Sequence, residues 1–522
     1  MSIIPEPRSQ RRSAASHGRP LADFVLYEVH VGAFTPEGTF AAAIGRLDEL
    51  VDLGITAVEL MPVAQFPGQR NWGYDGVYPY AVQDSYGGPA GLKSFVDACH
   101  DRGLAVVLDV VYNRFGPEGA YAADFGPYHT ERYRTPWGRA VNFDDAHSDA
   151  VRDYFVGNAL HWLGDYHLDA LRLDAVHAIF DASARPFLGE LAAAVHARFG
   201  EEPWPRYLIA ESDLNDSRLI RRGEQGGLGL DAQWADDLHH ALHVLLTREQ
   251  SGYYADFGGT EGLVAALRQG WAYTGQYSVA RQRSHGNDPG DLPTDRFVVS
   301  GQNHDQVGNR RRGERLATLV GFEGLKLAAG CVLLSRYLPL LFMGEEYGEE
   351  NPFLYFVDHS DPGLRQAVRR GRAEEHAAFL GQGETPDPCA LETFLASKLE
   401  WSRRGTGRQA LLLRHYRTLT NIRRTHPALR PGPRRRQRVE RHGEDVVAAR
   451  YGDEGESVLC LYNFATASSP VTVEEDGWRR LLDSADREWQ GPGSLLPTQI
   501  TAAPVCLLLP PQSCAAFARG PR

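Results

Sequence analysis

Lysine and methionine are scarce in this chain: three of each stand among 522 residues, and arginine carries nearly all the positive charge. Even so, acids outnumber bases, and the net charge of −12 excludes a surface built for nucleic acid or anionic lipid, both of which need a basic face. Cysteine is sparse as well. Cys99, Cys331, Cys389, Cys460, Cys506 and Cys514 form no CxxC pair and no metal-like spacing, which argues against a zinc ribbon and a disulfide framework. Several lie in apolar runs, "GCVLL" and "PVCLLL", as buried free thiols of a reducing compartment would. No run reaches membrane-spanning length. The twin arginine Arg11-Arg12 lacks the apolar run an export signal needs, so residues 1–20 read as a disordered leader of a cytoplasmic protein. No glycine loop sits in a nucleotide-binding context; "GPGSL" near residue 491 is a turn.

What is abundant is alternation. From Phe24 onward, short apolar runs ("FVLYEVHV", "TAVELM", "LAVVLDVVYN", "LDALRLD", "RYLIAES", "LDAQWADD", "RFVVSGQ", "LPLLFMGEE") are separated by amphipathic stretches. Thr39 can cap a helix with Phe40, Ile44, Leu47 and Leu50 on one face, and Gly54 ends it. Helices are predicted at 90–103, Ser148–Asp165, Pro186–Phe199 and Arg408–His426, with an irregular excursion over 114–147. Eight parallel strands with helical crossovers predict an α/β fold, a TIM (β/α)8 barrel over 21–426. After Pro427 the runs "DVVAARY", "SVLCLYNF" and "VTVEE" lose the helical period, which predicts an antiparallel C-terminal domain over 427–522.

One strand carries an anomaly. In "DALRLDAVHAIF" an arginine and an aspartate stand two apart, so Arg172 and Asp174 share a face while Leu171 and Leu173 share the other. A structural ion pair and a functional site both explain that. Three more predicted strand ends carry acids: Asp109, Glu211 and Asp305. In a barrel these ends converge on one bowl. Glycoside hydrolysis needs two carboxyl groups there, one ionised and one protonated. Arg172 beside Asp174 favours an ionised nucleophile, and the apolar "YLIA" before Glu211 favours a protonated general acid. Asp305 is a third carboxylate suited to a developing cationic centre.

The segments "DVVYN", "LRLDAVH", "IAE" and "NHD" resemble, in order, the four blocks of the α-amylase superfamily of retaining glycosidases, glycoside hydrolase family 13. That resemblance implies Asp174 as nucleophile, Glu211 as proton donor and Asp305 as transition-state stabiliser. It also implies a covalent glucosyl intermediate and a C-terminal β-sandwich. "LYEVHVGAFTPEGTF", "WGYDGVYPYAVQDSYGGP", "WADDLHHALHVLLTREQSGYY" and "PFLYFVDHSDP" look most like the maltooligosyltrehalose trehalohydrolase subgroup. Its members hydrolyse the α-1,4 bond that joins a maltooligosaccharide to a terminal α,α-trehalose. Substrate contact is then expected from Tyr74, Asp75, Asp109, Arg172, Leu173, Ala175, Val176 and His177, from Asp236, Asp237, Leu238, His239 and His240, and from His304, Gln306, Val307, Gly308 and Asn309.

Trp72 and Tyr74 can stack on pyranose faces or simply fill a loop core. His239 and His243, at i and i+4, could share a metal, but no third ligand is evident, so no metal and no cofactor is expected. The resemblance implies maltooligosyltrehalose and related α-glucans as partners, and a pathway link to the synthase that makes such substrates; nucleic acid and membrane are not expected. A branching enzyme, an amylase and a weakly active glucan-binding relative are the alternatives. Two features depart from the family. Its first block normally ends "DVVYNH", its histidine hydrogen-bonding the sugar, whereas this chain reads "DVVYNR". Arg114 either swings to solvent or crowds the pocket. The family's sandwich domain ahead of the barrel is also missing before Phe24, through a late start or a true loss.

Overall fold

A computed structural model describes residues 18–380, 383–453 and 455–520. Residues 1–17 of the expected leader lie outside the described residues.

Eight short strands close into a barrel: β1 Leu26–Val29, β2 Ala57–Leu60, β3 Ala105–Val110, β4 Ala170–Leu173, β5 Tyr207–Ala210, β6 Ala232–Trp234, β7 Phe297–Ser300 and β8 Leu338–Phe342. Each pairs in parallel with its neighbour in sequence, and β8 returns to β1 through Leu26 opposite Leu340. All eight coincide with apolar runs read from the sequence. The pleat divides their side chains. Leu26, Ala57, Ala105, Val107, Ala170, Ile209, Ala232, Val298 and Leu338 fill the barrel's lower interior, while Leu108, Leu171, Leu173 and Leu208 point outward into the helix layer. Nearer the strand C-termini the inward positions become polar: Glu28, Glu59, Asp109 and Arg172, all buried.

The helix expected from Thr39 to Leu50 is two helices, Phe40–Ile44 and Leu47–Leu53, interrupted at Gly45-Arg46. The apolar stripe survives because Phe40, Leu47 and Leu50 are all buried. Thr39 caps the first piece by accepting from the Ala42 N–H, and Gly54, at φ 92°, ends the second. The excursion over 114–147 is more ordered than its composition suggests. It holds a short helix, Ala122–Phe125, and an antiparallel hairpin, His129–Thr135 with Gly138–Val141.

Helix Gly407–Thr425 leads into the C-terminal region. There β9 Gln437–His442, β10 Val446–Gly452, β11 Ser457–Asn463, β12 Ser469–Val473, β13 Trp478–Asp483, β14 Gln499–Ile500, β15 Val505–Leu509 and β16 Ser513–Arg519 pair antiparallel. They form a six-stranded sheet in the order β9-β10-β11-β16-β13-β14 and a separate β12-β15 pair. Val446, Ala448, Leu459, Leu461 and Phe517 of the large sheet pack on Val471, Val473, Leu507 and Leu509 of the pair. This is the antiparallel sandwich expected. Five cysteines are buried free thiols, but Cys506 is exposed, because in β15 it shares the outward face with Leu508. Among the described residues no helix is long and apolar enough to cross a membrane.

Candidate active site

The residues that close β3, β4, β5 and β7 meet in one bowl, and Arg172 stands at its floor. Its side chain is fully buried, with the guanidinium carbon 4.3 Å from the Trp234 ring centroid. Nη1 donates to Asp109 Oδ2 at 2.7 Å and to Asp174 Oδ1 at 3.1 Å. Nη2 lies 3.7 Å from Glu211 Oε2 and 4.0 Å from Asp305 Oδ2. One cation thus serves four carboxyl groups from four strand ends.

Asp174 is held on both oxygens. Asn113 Nδ2 donates to Oδ2 at 2.8 Å, and Arg114 Nη1 reaches the same oxygen at 3.4 Å. Burial pushes its carboxyl up, but Arg114, then Arg172, then the Asn113 hydrogen bond outweigh this and leave it below the usual aspartate value. Glu211 moves the other way. Burial raises it against the pull of Arg172, and the charges of Asp174 and Asp305 add to the rise. Its carboxylate accepts from the backbone N–H of Ala175, a residue in the left-handed region at φ 39°. Asp305 is the most accessible of the three, its side chain 40 % exposed.

Beneath them runs a buried polar chain. Tyr74 donates its hydroxyl proton to Asp109 Oδ2 at 2.6 Å and lies 2.8 Å from His304 Nε2. His304 Nδ1 meets Glu28 Oε1 at 2.5 Å, and its backbone N–H donates to Glu28 Oε2. Burial opposes the imidazolium, but Asp305 and Glu28 raise His304 to about 9. Burial pushes Asp109 up to about 7 against the pull of Arg172.

Of the other expected contacts, His177, Asp236 and Asp305 have partly open side chains near the bowl. His177 is exposed with Nδ1 3.9 Å from Asp213, and Asp236 is half-buried and pushed well up by burial and by Glu211 and Asp305. His240 packs beside exposed Tyr253 at 5.0 Å between ring centroids. Asp75 is half-buried and accepts from Asn71 Nδ2. Leu173, Val176, Leu238 and Val307 are buried in the core that joins the barrel to its helix layer.

Asp237 is occupied by Asn215 Nδ2 and the N–H groups of Ala272 and Tyr273. His239 has Gly301 O at 2.7 Å and Tyr254 Oη at 2.9 Å, and His243 has Glu249 at 2.8 Å. Those histidines are therefore spent inside the protein; among the described residues no cluster of three metal-ligating side chains is present. Gln306 closes the capping box of helix His304–Gly308. Gly308 lies under Trp72, where a Cβ would come within 2.1 Å of the ring, and Asn309 holds Arg372. Trp72 is a core residue, stacked on Phe353 at 5.3 Å and donating Nε1–H to Leu354 O. Of the two expectations for Arg114, the swing to solvent does not occur: its side chain is 13 % exposed and Nη1 lies 3.4 Å from Asp174 Oδ2.

Sequence reading passed over Glu28, Glu59 and the role of Asn113. The first two carried the same signal as Arg172, a charge on an inward position of an apolar strand.

A family model described as alpha amylase, catalytic domain, matches residues 7–137, and one described as a domain of unknown function, DUF3459, matches residues 434–515. The malto-oligosyltrehalose trehalohydrolase of Saccharolobus solfataricus is 50% identical over 404 residues, 77% of this chain and 69% of that one. That of Arthrobacter ramosus is 51% identical over 417 residues, 79% of this chain and 72% of that one. The chain belongs to the malto-oligosyltrehalose trehalohydrolase family, within the α-amylase superfamily. Like its family it is a glycoside hydrolase acting on α-glucans. The crystal structure of a Salmonella typhimurium protein designated an alpha amylase superposes with a TM-score of 0.88 at 38% identity, covering 99% of this chain and 85% of that one.

Proposed function

We propose that the protein hydrolyses maltooligosyltrehalose at the α-1,4 bond next to the terminal trehalose, with retention of configuration. The observation that carries the mechanism is the opposite displacement of two carboxyl groups on one guanidinium: Asp174 lowered, Glu211 raised. A retaining glycosidase needs that inequality. Asp174 attacks the anomeric carbon of the glucose unit that precedes the trehalose, and the C–O bond breaks as Glu211 gives its proton to the departing trehalose oxygen. Glu211, now a carboxylate, takes a proton from water, and the resulting hydroxide displaces Asp174 from the sugar. Asp305, the most open of the three carboxylates, serves in this reading to stabilise the positive charge that develops on the ring.

The choice of bond rests on the trehalohydrolase relatives. Under this reading the substrate comes from an enzyme that converts the reducing end of an α-1,4-glucan into trehalose, and the buried free thiols fit a reducing cytoplasm. The test is incubation with maltotriosyltrehalose beside maltopentaose and amylose, with product chromatography and proton NMR of the first-formed anomer. Free trehalose and an α-anomer are expected, with Asp174→Ala slower by about 10⁴-fold or more. Branched glucan or plain maltooligosaccharides would replace this reading with that of a branching enzyme or an amylase. Silence on all three substrates would leave a glucan-binding relative.

A further inference from the structure

The bowl is short of positive charge. Asp109, Asp174, Glu211 and Asp305 share Arg172, and Arg172 is closest to Asp109 at 2.7 Å. A second cation stands on the opposite side of Asp174. Arg114 Nη1 is 3.4 Å from Asp174 Oδ2 and 3.2 Å from Asn113 Oδ1, and among the described residues Asp174 is its carboxylate partner.

Arg114 is also gripped by two rings. Its guanidinium carbon is 4.1 Å from the Trp137 centroid and 5.9 Å from that of Tyr74. Trp137 occupies the turn of the hairpin that interrupts the excursion after β3, and its residue is 50% exposed. That hairpin is fastened at both flanks. Phe115, next to Arg114, packs on His129 at 5.5 Å, and Tyr133 stacks on Phe180 at 5.2 Å, beyond β4. An exposed indole on a fastened hairpin, lying over a nearly buried arginine, is poorly explained by packing alone. A flat guanidinium stacks well on an indole while its edge donates to a carboxylate.

We propose that Arg114 is a positioning residue of the reaction, a fixed cation that Trp137 props against the Asp174 carboxylate and that does the work Arg172 is too widely shared to do alone. The inference rests on the assignment of Asp174 as nucleophile. It also reassigns part of what Arg172 was expected to do: for Asp174 the pull of Arg114 exceeds that of Arg172. The groups that face Asp174 are Arg172 on its own strand, Asp109 and Arg114 from the β3 side, Glu211 from β5, His304 and Asp305 from beyond β7, and Tyr74. Removing Arg114 leaves Arg172 and His304 against three carboxyl groups, so the Asp174 proton is held more tightly.

The experiment compares wild type, Arg114→Gln, Arg114→Lys and Trp137→Ala by two readouts. One is the Asp174 carboxyl titration seen by infrared difference spectroscopy, with Asp174→Asn as the blank. The other is the acid limb of kcat/KM on maltotriosyltrehalose. Arg114→Gln is expected to raise both midpoints by about one pH unit or more. Trp137→Ala raises them less and in the same direction, Arg114→Lys keeps most of the wild-type value, and a double variant, Arg114→Gln with Trp137→Ala, moves them by less than the sum of the two single effects. Midpoints unmoved in both Arg114→Gln and Trp137→Ala would overturn the inference. Trp137 is half exposed, so its variant keeps the test open if Arg114→Gln does not fold. A wild type inert toward every glucan, with the infrared midpoint still moving, would remove the hydrolase assignment while upholding the hold of Arg114 on Asp174.

Discussion

Asp174 and Glu211 sit within reach of the same arginine and yet are displaced to opposite sides of their ordinary values, because what else surrounds each differs. Asp174 has two arginines and an amide on its oxygens. Glu211 has one distant guanidinium contact, at 3.7 Å, and two negative neighbours. A nucleophile held low loses function as pH falls through its value, and an acid held high loses function as pH rises through its own. The pH profile of kcat/KM is therefore expected to be a bell, its acid limb belonging to Asp174 and its alkaline limb to Glu211. Glu211→Gln should lower turnover about 10²–10⁴-fold and abolish the alkaline limb, while a substrate with a good leaving group recovers much of the first step. An alkaline limb that persists in Glu211→Gln would assign the proton donor elsewhere. Part of this arrangement was legible in the sequence, since Arg172, Asp174 and Glu211 break apolar runs, although a structural ion pair would explain the Arg172–Asp174 pair as well as a site does. The direction in which Arg114 points was not legible: a side chain after a strand end can face either way, and the ring that catches it lies 23 positions on, at the turn of a hairpin with no apolar alternation.

Elements were legible to the degree that one period governed them. The eight barrel strands came from apolar runs between helical patterns, and helices Ser148–Asp165 and Phe187–Phe199 end within a residue of their sequence limits. The hairpin at 129–141 was missed because "HTERYRTPWGRAV" has few apolar residues and pairs over the surface, so no buried face imposes a period of two. The split at Gly45 was missed because the stripe continues across it. Helix Gly407–Thr425 offers a test at this scale. It carries His415, fully buried with its ring 5.0 Å from the Trp489 ring, and burial lowers that imidazole to about 3. The unfolded chain takes up the proton at the ordinary value near 6.5, which the folded protein cannot do. His415 thus costs no stability above pH 6.5, and destabilises the fold progressively below it, by up to about 1.4 kcal/mol for each pH unit. In His415→Leu the fall in denaturant midpoint between pH 7 and pH 5.5 should be shallower than in wild type, by about 1 kcal/mol in unfolding free energy. Parallel pH curves for the two proteins would mean that the histidine is protonated in the fold.

At the scale of the whole molecule the large C-terminal sheet is apolar on both faces, and the pleat explains how. Along β10, β11 and β16 the residues Val446, Ala448, Leu459, Leu461 and Phe517 meet the β12-β15 pair, while the intervening Val447, Ala449, Tyr451, Cys460, Tyr462 and Cys514 join the same core as the barrel's helix layer. Helix Phe322–Leu333 lies against that second face so closely that a Cβ on Gly330 would come within 2.6 Å of Cys514 Sγ. Lys326, on the same helix and fully buried, then crosses the junction: its ammonium donates to Ser484 O at 2.6 Å and Trp489 O at 3.0 Å, with Glu323 Oε1 at 2.9 Å. A sheet whose two faces belong to two cores cannot lose one without exposing the other, so barrel and sandwich are expected to unfold in one transition. Lys326→Met keeps most of the stem but leaves two carbonyls and a carboxyl at the junction without their donor, and should cost about 1–3 kcal/mol. Because the apolar contact remains, the transition should stay single while its denaturant midpoint falls. Two resolved transitions in the wild type, seen by tryptophan fluorescence and by far-ultraviolet circular dichroism at different denaturant concentrations, would mean that the shared face does not couple the two parts and that the sandwich is an independent module.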